Sequence, residues 1–161
     1  VEQFLLVKYR SRCVDAYALN VVWNELKYKA KVYKEYGVLP LVRCVPAQIN
    51  QVFMNCMINA AHAIEGMGEI TLKTGTAGDE VWISVTDTGK GMPESVRKRI
   101  FEPFFTTKPV GQGTGLGLSL AYSIIQKHKG HIEVESTEGV GTTFKIYLPI
   151  AGKGEQLPDS E

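Results

Sequence analysis

Apolar residues recur along this chain at two spacings, and the switches between them mark its elements. From Asp15 to Lys31, Ala18, Val21, Val22 and Leu26 fall at helical intervals, with Asp15 or Asn20 placed to start the helix. KVYKEY (31–36) and LVRCV (41–45) are β-rich runs parted by Gly37 and Pro40, which predicts two strands around a turn. Pro46 opens a stretch, Ala47 to Glu65, free of proline and glycine, in which Ile49, Val52, Phe53, Cys56 and Ala60 recur at helical spacing. It predicts a long helix closed by Gly66 and Gly68.

The pattern then turns to alternation. EITLKT (69–74) and EVWISVTD (80–87), joined by GTAGD, predict a hairpin with Val81, Ile83 and Val85 on one face. Pro93 to Ile100 predicts a short helix with proline near its first turn, and Phe101 to Thr114, which has no clean period, a loop. Gly115 to Lys129 returns to helical spacing through Leu116, Leu120, Ile124 and Ile125 and stops at Gly130. HIEVES (131–136) and TTFKIYLP (142–149) are the last strands, with Phe144, Ile146 and Leu148 on a common face. Elements that alternate but are joined by hairpin-length turns predict an α+β fold. It is a two-layer α/β sandwich, a mixed and mostly antiparallel sheet of about five strands covered on one face by about three helices.

Composition narrows the picture only a little. A length of 161 residues with 44% hydrophobic content suits one core, and the expected division is an N-terminal segment 1–14, a domain over 15–150 and a disordered tail over 151–161. Residues 1–14 read as the end of a helical hairpin, a vector remnant or an interface helix. A net charge of +1 argues against nucleic acid as a partner. With no run long enough to span a bilayer and no cleavage site after the first apolar patch, the expected location is cytoplasmic, for the chain by itself or as the cytosolic portion of something larger. Cys13, Cys44 and Cys56 are odd in number and widely spaced, which predicts reduced, structural thiols.

Two polar patterns carry the candidate chemistry. On the long helix, Gln48, Gln51, Asn55, Asn59 and His62 recur along one side. Solvated faces are usually built from Lys and Glu, whereas amides lower helix propensity and call for a reason. An asparagine oxygen is a neutral, hard ligand that suits magnesium otherwise held by water and phosphate, and Asn59 is the first choice for it. The second pattern runs from Asp87 to Leu118, where DTGKGM (87–92), FEPFFTTK (101–108) and GTGLGL (113–118) set two glycine clusters around an aromatic segment. Gly111, Gly113, Gly115 and Gly117 lead into a helix whose first amides favour phosphate. A dinucleotide-binding fingerprint is rejected, because the spacing is GxGxG and no buried strand precedes it.

QVFMNCMINAAHAI, DTGKGM, FEPFF and GTGLGLSLA, in this order, resemble the N box, first glycine box, F box and second glycine box of sensor histidine kinases, nearest to their nitrogen-regulation-like branch. The resemblance covers about residues 15 to 150 and extends to a superfamily that includes gyrase, mismatch-repair and chaperone ATPases. It implies that Asp87 accepts from the adenine amine, that Gly89 and Gly91 let the backbone approach the base, and that Phe101, Phe104 and Phe105 hinge a mobile ATP lid. It also implies that Gly113, Thr114, Gly115, Leu116, Gly117 and Leu118 hold phosphate and that Asn55 and Asn59 are the catalytic amides. Lys108 and His62 are candidates for phosphate contact, each with an alternative as a solvated or structural side chain, and Thr142 is a further candidate for the base. The cofactors implied are ATP and Mg2+.

Position 55 separates two mechanisms. Gyrase-type ATPases carry a glutamate there as the base that activates water, and an amide cannot take up a proton. The resemblance therefore implies transfer of the γ-phosphoryl group to a histidine on a separate dimerisation domain, and from there to a response regulator. His62, His128 and His131 lie inside the expected fold and none has the acidic residue that follows an acceptor histidine. The chain is expected to be a donor half that does not phosphorylate itself, monomeric alone and part of a homodimer at full length. A nucleotide-operated clamp and a non-catalytic interaction module are the alternatives.

Overall fold

The structure, a computed structural model, describes residues 22–108 and 115–150 together with the backbone of 5–7. A helical stretch, α1 (22–26), leads through a turn into β2 (Ala30–Tyr36), and β3 (Val42–Cys44) precedes the long α2 (Pro46–Ala63). Then follow β4 (Gly68–Ala77), β5 (Glu80–Asp87), α3 (Glu94–Arg97), α4 (Gly117–Lys127), β6 (His131–Thr137) and β7 (Gly141–Pro149), with β1 (Leu5–Val7) at the start. The main sheet runs β2-β4-β5-β7-β6 and is antiparallel except for the parallel pair β2 and β4. The mixed five-stranded sheet with helices packed on it agrees with the expected fold class.

Alternation places the core. Along β7, Thr142, Phe144, Ile146 and Leu148 are buried, and on β5 Val81, Ile83 and Val85 join them. From above, α2 contributes Ile49, Val52, Phe53, Cys56, Met57, Ala60 and Ala61, and α4 contributes Ala121, Ile124 and Ile125. Burying side chains of this size stabilises by about 1.5–3 kcal/mol each relative to exposure, which fixes both helices on one face of the sheet. Burial also pushes the Cys44 thiol up to about 11 and that of Cys56 to about 12, so both stay protonated at neutral pH. Cys13 lies outside the described residues, as do Asp15, Asn20 and residues 151–161.

Several expectations are corrected. The two runs around Gly37 do not pair with each other. β2 lies parallel to β4, with Ala30 opposite Gly68, while β3 pairs with β1 in a separate ribbon, with Leu5 opposite Cys44. The physical reason is the connection: Gly37 N–H donates to the Thr74 backbone oxygen at 3.1 Å, which carries the end of β2 along β4 instead of back on itself. Leu5–Val7 is accordingly a strand. The first helix stops before Ala30, because Ala30 and Lys31 already belong to β2.

The closing helix begins at Gly117, not Gly115, and ends differently from the simple rule. Lys129, not Gly130, takes the left-handed conformation (φ 58°). Its N–H donates to Gln126 O and that of Gly130 to Ile125 O, each at 3.0 Å, which is a Schellman closure. Gly130 is required for space, since a Cβ there would lie 2.0 Å from Tyr147 O. Buried His128, the cap of α4, joins this end to the start of α2. Its Nδ1 lies 2.7 Å from Ile124 O and so carries the hydrogen, leaving Nε2 to accept from Val45 N–H at 3.0 Å.

The turn after β5 is threaded between two neighbours. Lys90 N–H donates to Ala63 O at the end of α2 (2.9 Å), and Gly139 N–H in the β6–β7 turn donates to Lys90 O (2.7 Å). Gly91 sits there with φ 64°, and an added Cβ would lie 2.0 Å from Thr137 O. Gly78 in the β4–β5 turn has φ 59° and open space around it. Gly78→Ala is expected to cost about 1–2 kcal/mol, the left-handed penalty alone. Gly91→Ala should cost at least twice that, because a backbone clash is added; equal shifts of the two variants in a urea or thermal melt would refute the threading.

Candidate functional site

A cleft of about 800 Å³ opens between the second half of α2, the turn after β5, the buried face of β7 and the start of α4. Asp87, the last residue of β5, stands at one end of it. Only 4% of its surface is exposed, and the carboxylate accepts from Gly89 N–H at 2.8 Å and from the backbone N–H of Thr142, the residue opposite in the β5–β7 register. Burial pushes the Asp87 carboxyl above its ordinary 3.8, and the two amides oppose that shift. Buried, with two amides already donating to it, its carboxyl presents an acceptor to the cleft.

Asn55 has a different situation from the other amides of its stripe. Its side chain is buried, Nδ2 donates to Gly117 O at 2.8 Å, and Oδ1 accepts from Gln51 Nε2 at 3.3 Å. It therefore ties α2 to the first residue of α4. Asn59 and His62, one and two turns on, line the cleft, whereas Gln48 and Gln51 do not reach it. The stripe thus divides into a part that faces the cleft and a part that supports the approach to it.

Lys108 closes another side of the cleft. Its Nζ lies 2.8 Å from His62 Nδ1, and His62 Nε2 lies 3.1 Å from Glu25 Oε2 of α1. An ammonium only donates, so Nδ1 accepts and Nε2 carries the hydrogen toward Glu25. Burial lowers the Lys108 pKa, Glu25 raises it and Lys90 lowers it further. Lys29, Lys90 and Lys108 surround the cleft, and among its described lining residues Asp87 is the one carboxylate. The balance favours an anionic ligand.

α4 begins without a side-chain cap, and the first bond of its ladder runs from Leu120 N–H to Leu116 O at 2.9 Å. The amides ahead of it have no helical acceptor. Gly115, Gly117 and Leu118 line the cleft there. Gly115 also makes room for Phe104, whose N–H donates to Gly115 O at 2.9 Å; a Cβ on Gly115 would meet the Phe104 backbone at 2.4 Å.

Of the residues singled out from sequence, the cleft gathers Asn55, Asn59, His62, Asp87, Gly91, Lys108, Gly115, Gly117, Leu118 and Thr142. Gly89 and Leu116 are not on its wall. Gly89 packs on the end of α2, where a Cβ would lie 2.5 Å from Ala63 O, and Leu116 is exposed. Gly113 and Thr114 lie outside the described residues. Lys29, Lys90 and Met92 line the cleft without having been singled out. Lys90 and Met92 stand inside the glycine motif and were legible there; no local signal marks Lys29.

Known proteins resemble this chain in sequence and fold. Residues 44–152 match the family described as histidine kinase-, DNA gyrase B-, and HSP90-like ATPase. The chain is 45% identical over 125 residues to sporulation kinase E of Bacillus subtilis, covering 76% of this chain and 16% of that protein. It is 43% identical over 112 residues to the sensor histidine kinase ZraS of Escherichia coli, covering 70% of this chain and 24% of that protein. This chain therefore spans a quarter or less of these two relatives. The nucleotide-free catalytic domain of the histidine kinase ThkA superimposes with a TM-score of 0.79 at 30% identity, over 91% of this chain and 95% of that one. The match of residues 44–152, with the superposition over nearly the whole of a kinase catalytic domain, places the chain in the histidine kinase-, DNA gyrase B- and HSP90-like ATPase family, as an ATP-binding catalytic domain of the histidine kinase type.

Proposed function

We propose that this domain binds Mg-ATP with the base at Asp87 and the phosphates at the start of α4, and donates the γ-phosphoryl group to a histidine on a separate dimerisation domain of a two-component kinase. The observation that carries the reading is the make-up of the cleft: one buried acceptor at the end of β5, with Lys29, Lys90, Lys108 and the start of α4 around it. Asp87 suits the exocyclic amine of adenine, which is a donor. The α4 amides with Lys108 and His62 suit the triphosphate.

Among the described residues no group of three His, Cys, Asp or Glu side chains converges as a cation site. The residues present therefore fit a magnesium ion that arrives with the nucleotide, with Asn59 as its protein ligand and phosphate oxygens and water completing the shell. Magnesium supplies charge neutralisation at the transferring phosphoryl group. Asn55 holds α4 in place through Gly117, so the phosphate-binding amides are fixed before the ligand arrives.

Transfer is favoured over hydrolysis by the same residue. Asn55 is a neutral amide whose nitrogen is already bonded, and the one lining carboxylate among the described residues stands at the other end of the cleft. Nothing there acts as the carboxylate base that a gyrase-type ATPase uses on water.

Asp87→Asn replaces one acceptor by a donor and should weaken ATP binding by roughly 10- to 100-fold, the loss of a hydrogen bond to a charged group. Stability should move the other way. A carboxyl whose folded pKa is raised contributes stability below its unfolded value and loses it as pH rises through the folded one. Wild type should therefore lose stability relative to the variant as pH rises through the folded value of Asp87, read as Tm against pH; an ATP titration that the substitution leaves unchanged would sink the assignment. The second test concerns transfer. Mixed with the acceptor hairpin of its own full-length protein and labelled ATP, the domain should yield acid-labile phosphate on the hairpin, while alone it should label nothing and release phosphate slowly. Rapid release without any acceptor would favour the clamp ATPase.

A further inference from the structure

Ser136 of β6 lies behind the wall of the cleft, and its hydroxyl has three neighbours. Met92 N–H donates to Oγ at 2.8 Å, Gly141 O lies at 3.2 Å and Thr142 Oγ1 at 2.8 Å. A serine has one hydrogen to give and two lone pairs. The carbonyl of Gly141 can only accept. If Ser136 donates to Gly141, the Thr142 hydroxyl donates to Ser136, and all three contacts are hydrogen bonds. If Ser136 donates to Thr142 instead, the contact with Gly141 O is lost. The first arrangement satisfies every group and saturates the Ser136 oxygen, so it is the one the geometry favours.

The consequence appears on the other side of Thr142, which lines the cleft beside Asp87. With its proton spent inside the protein, Thr142 shows the cleft lone pairs only. Both groups at that end are then acceptors. An exocyclic amine on a purine meets two acceptors and is bound, whereas a carbonyl in the same place sets oxygen against oxygen and leaves buried groups unpaired.

We propose that Ser136 is a positioning residue that fixes the selectivity of this site for 6-amino over 6-oxo purine nucleotides by holding the Thr142 hydroxyl as an acceptor. This rests on the reading of the cleft as a nucleotide site. Removing the Ser136 oxygen frees the Thr142 hydroxyl to turn its hydrogen into the cleft and donate to a carbonyl. The ligand contacts themselves are left in place, so the effect falls on the ratio of affinities and not on binding as such.

The test is calorimetric titration of the folded chain with MgATP and MgGTP. Ser136→Ala should lower the ATP-over-GTP affinity ratio by about fivefold, the scale of one neutral hydrogen bond, and Ser136→Thr, which keeps a hydroxyl, should restore it. In a Thr142→Val background, Ser136→Ala should leave the ratio unchanged, since no hydroxyl remains to be oriented. If the alanine variant does not fold, Ser136→Cys keeps the size with a far weaker acceptor and should shift the ratio the same way. A wild-type chain that binds ATP, with a ratio that Ser136→Ala leaves intact or alters equally in the Thr142→Val background, overturns this inference alone. A wild-type chain with no saturable ATP binding overturns the nucleotide reading, and the inference with it.

Discussion

The carboxylate of Asp87, held out of water by two backbone amides, is the constraint around which the site is arranged. A buried charge without a partner is costly, and here the partners come from two places: the turn that follows it, through Gly89, and the neighbouring strand, through Thr142. The β5–β7 register must therefore set Thr142 opposite Asp87, and the turn must double back at once. It does so between Ala63 at the end of α2 and the β6–β7 turn, with Gly89 and Gly91 fitting where any Cβ would collide. The motif DTGKGM is thus as much a packing solution as a ligand-binding one.

α2 transmits that arrangement across the cleft. Its apolar face fixes it on the sheet, and its C-terminal carbonyl holds the turn that follows Asp87. One side chain, Asn55, reaches the first residue of α4. His128 ties the far end of α4 back to the beginning of α2, so the two helices are joined at both ends. The distance between the buried acceptor and the start of α4 is set by packed elements and not by a loop. That is the property a site needs if it is to position a long, charged ligand before reaction.

How much of this could be read from the chain depended on the range of the interaction. α2, the β4–β5 hairpin and the last two strands follow from local periodicity, and the structure contains them with small shifts at their ends. The partner of β2 could not be read, because a strand's choice between β3 and β4 is made by the path of the backbone beyond it. Gly130 was a plausible helix stop, yet the left-handed residue is Lys129, since the strand backbone at Tyr147 claims the space beside the glycine. Within the site, Asn59, His62 and Asp87 were legible as unusual residues in ordered patterns. Lys29 and Glu25 were not, because packing brings them to the cleft and to His62, and Ser136 was not, because its contact with Thr142 is made by the β6–β7 register.

By itself, the sequence determined the elements, the glycine turns and the chemical class of the site, because helical and strand periodicity, glycine spacing and the choice of amide over carboxylate at Asn55 are all local. Only the tertiary structure decided that Asn55 is bonded to α4, that Lys108 meets His62 and Glu25, and that Ser136 stands behind Thr142. Those are polar contacts made by side chains that packing brings to their partners, and a hydrogen bond depends on angstroms and on which group has a proton to give. Neither quantity is written in the order of the residues.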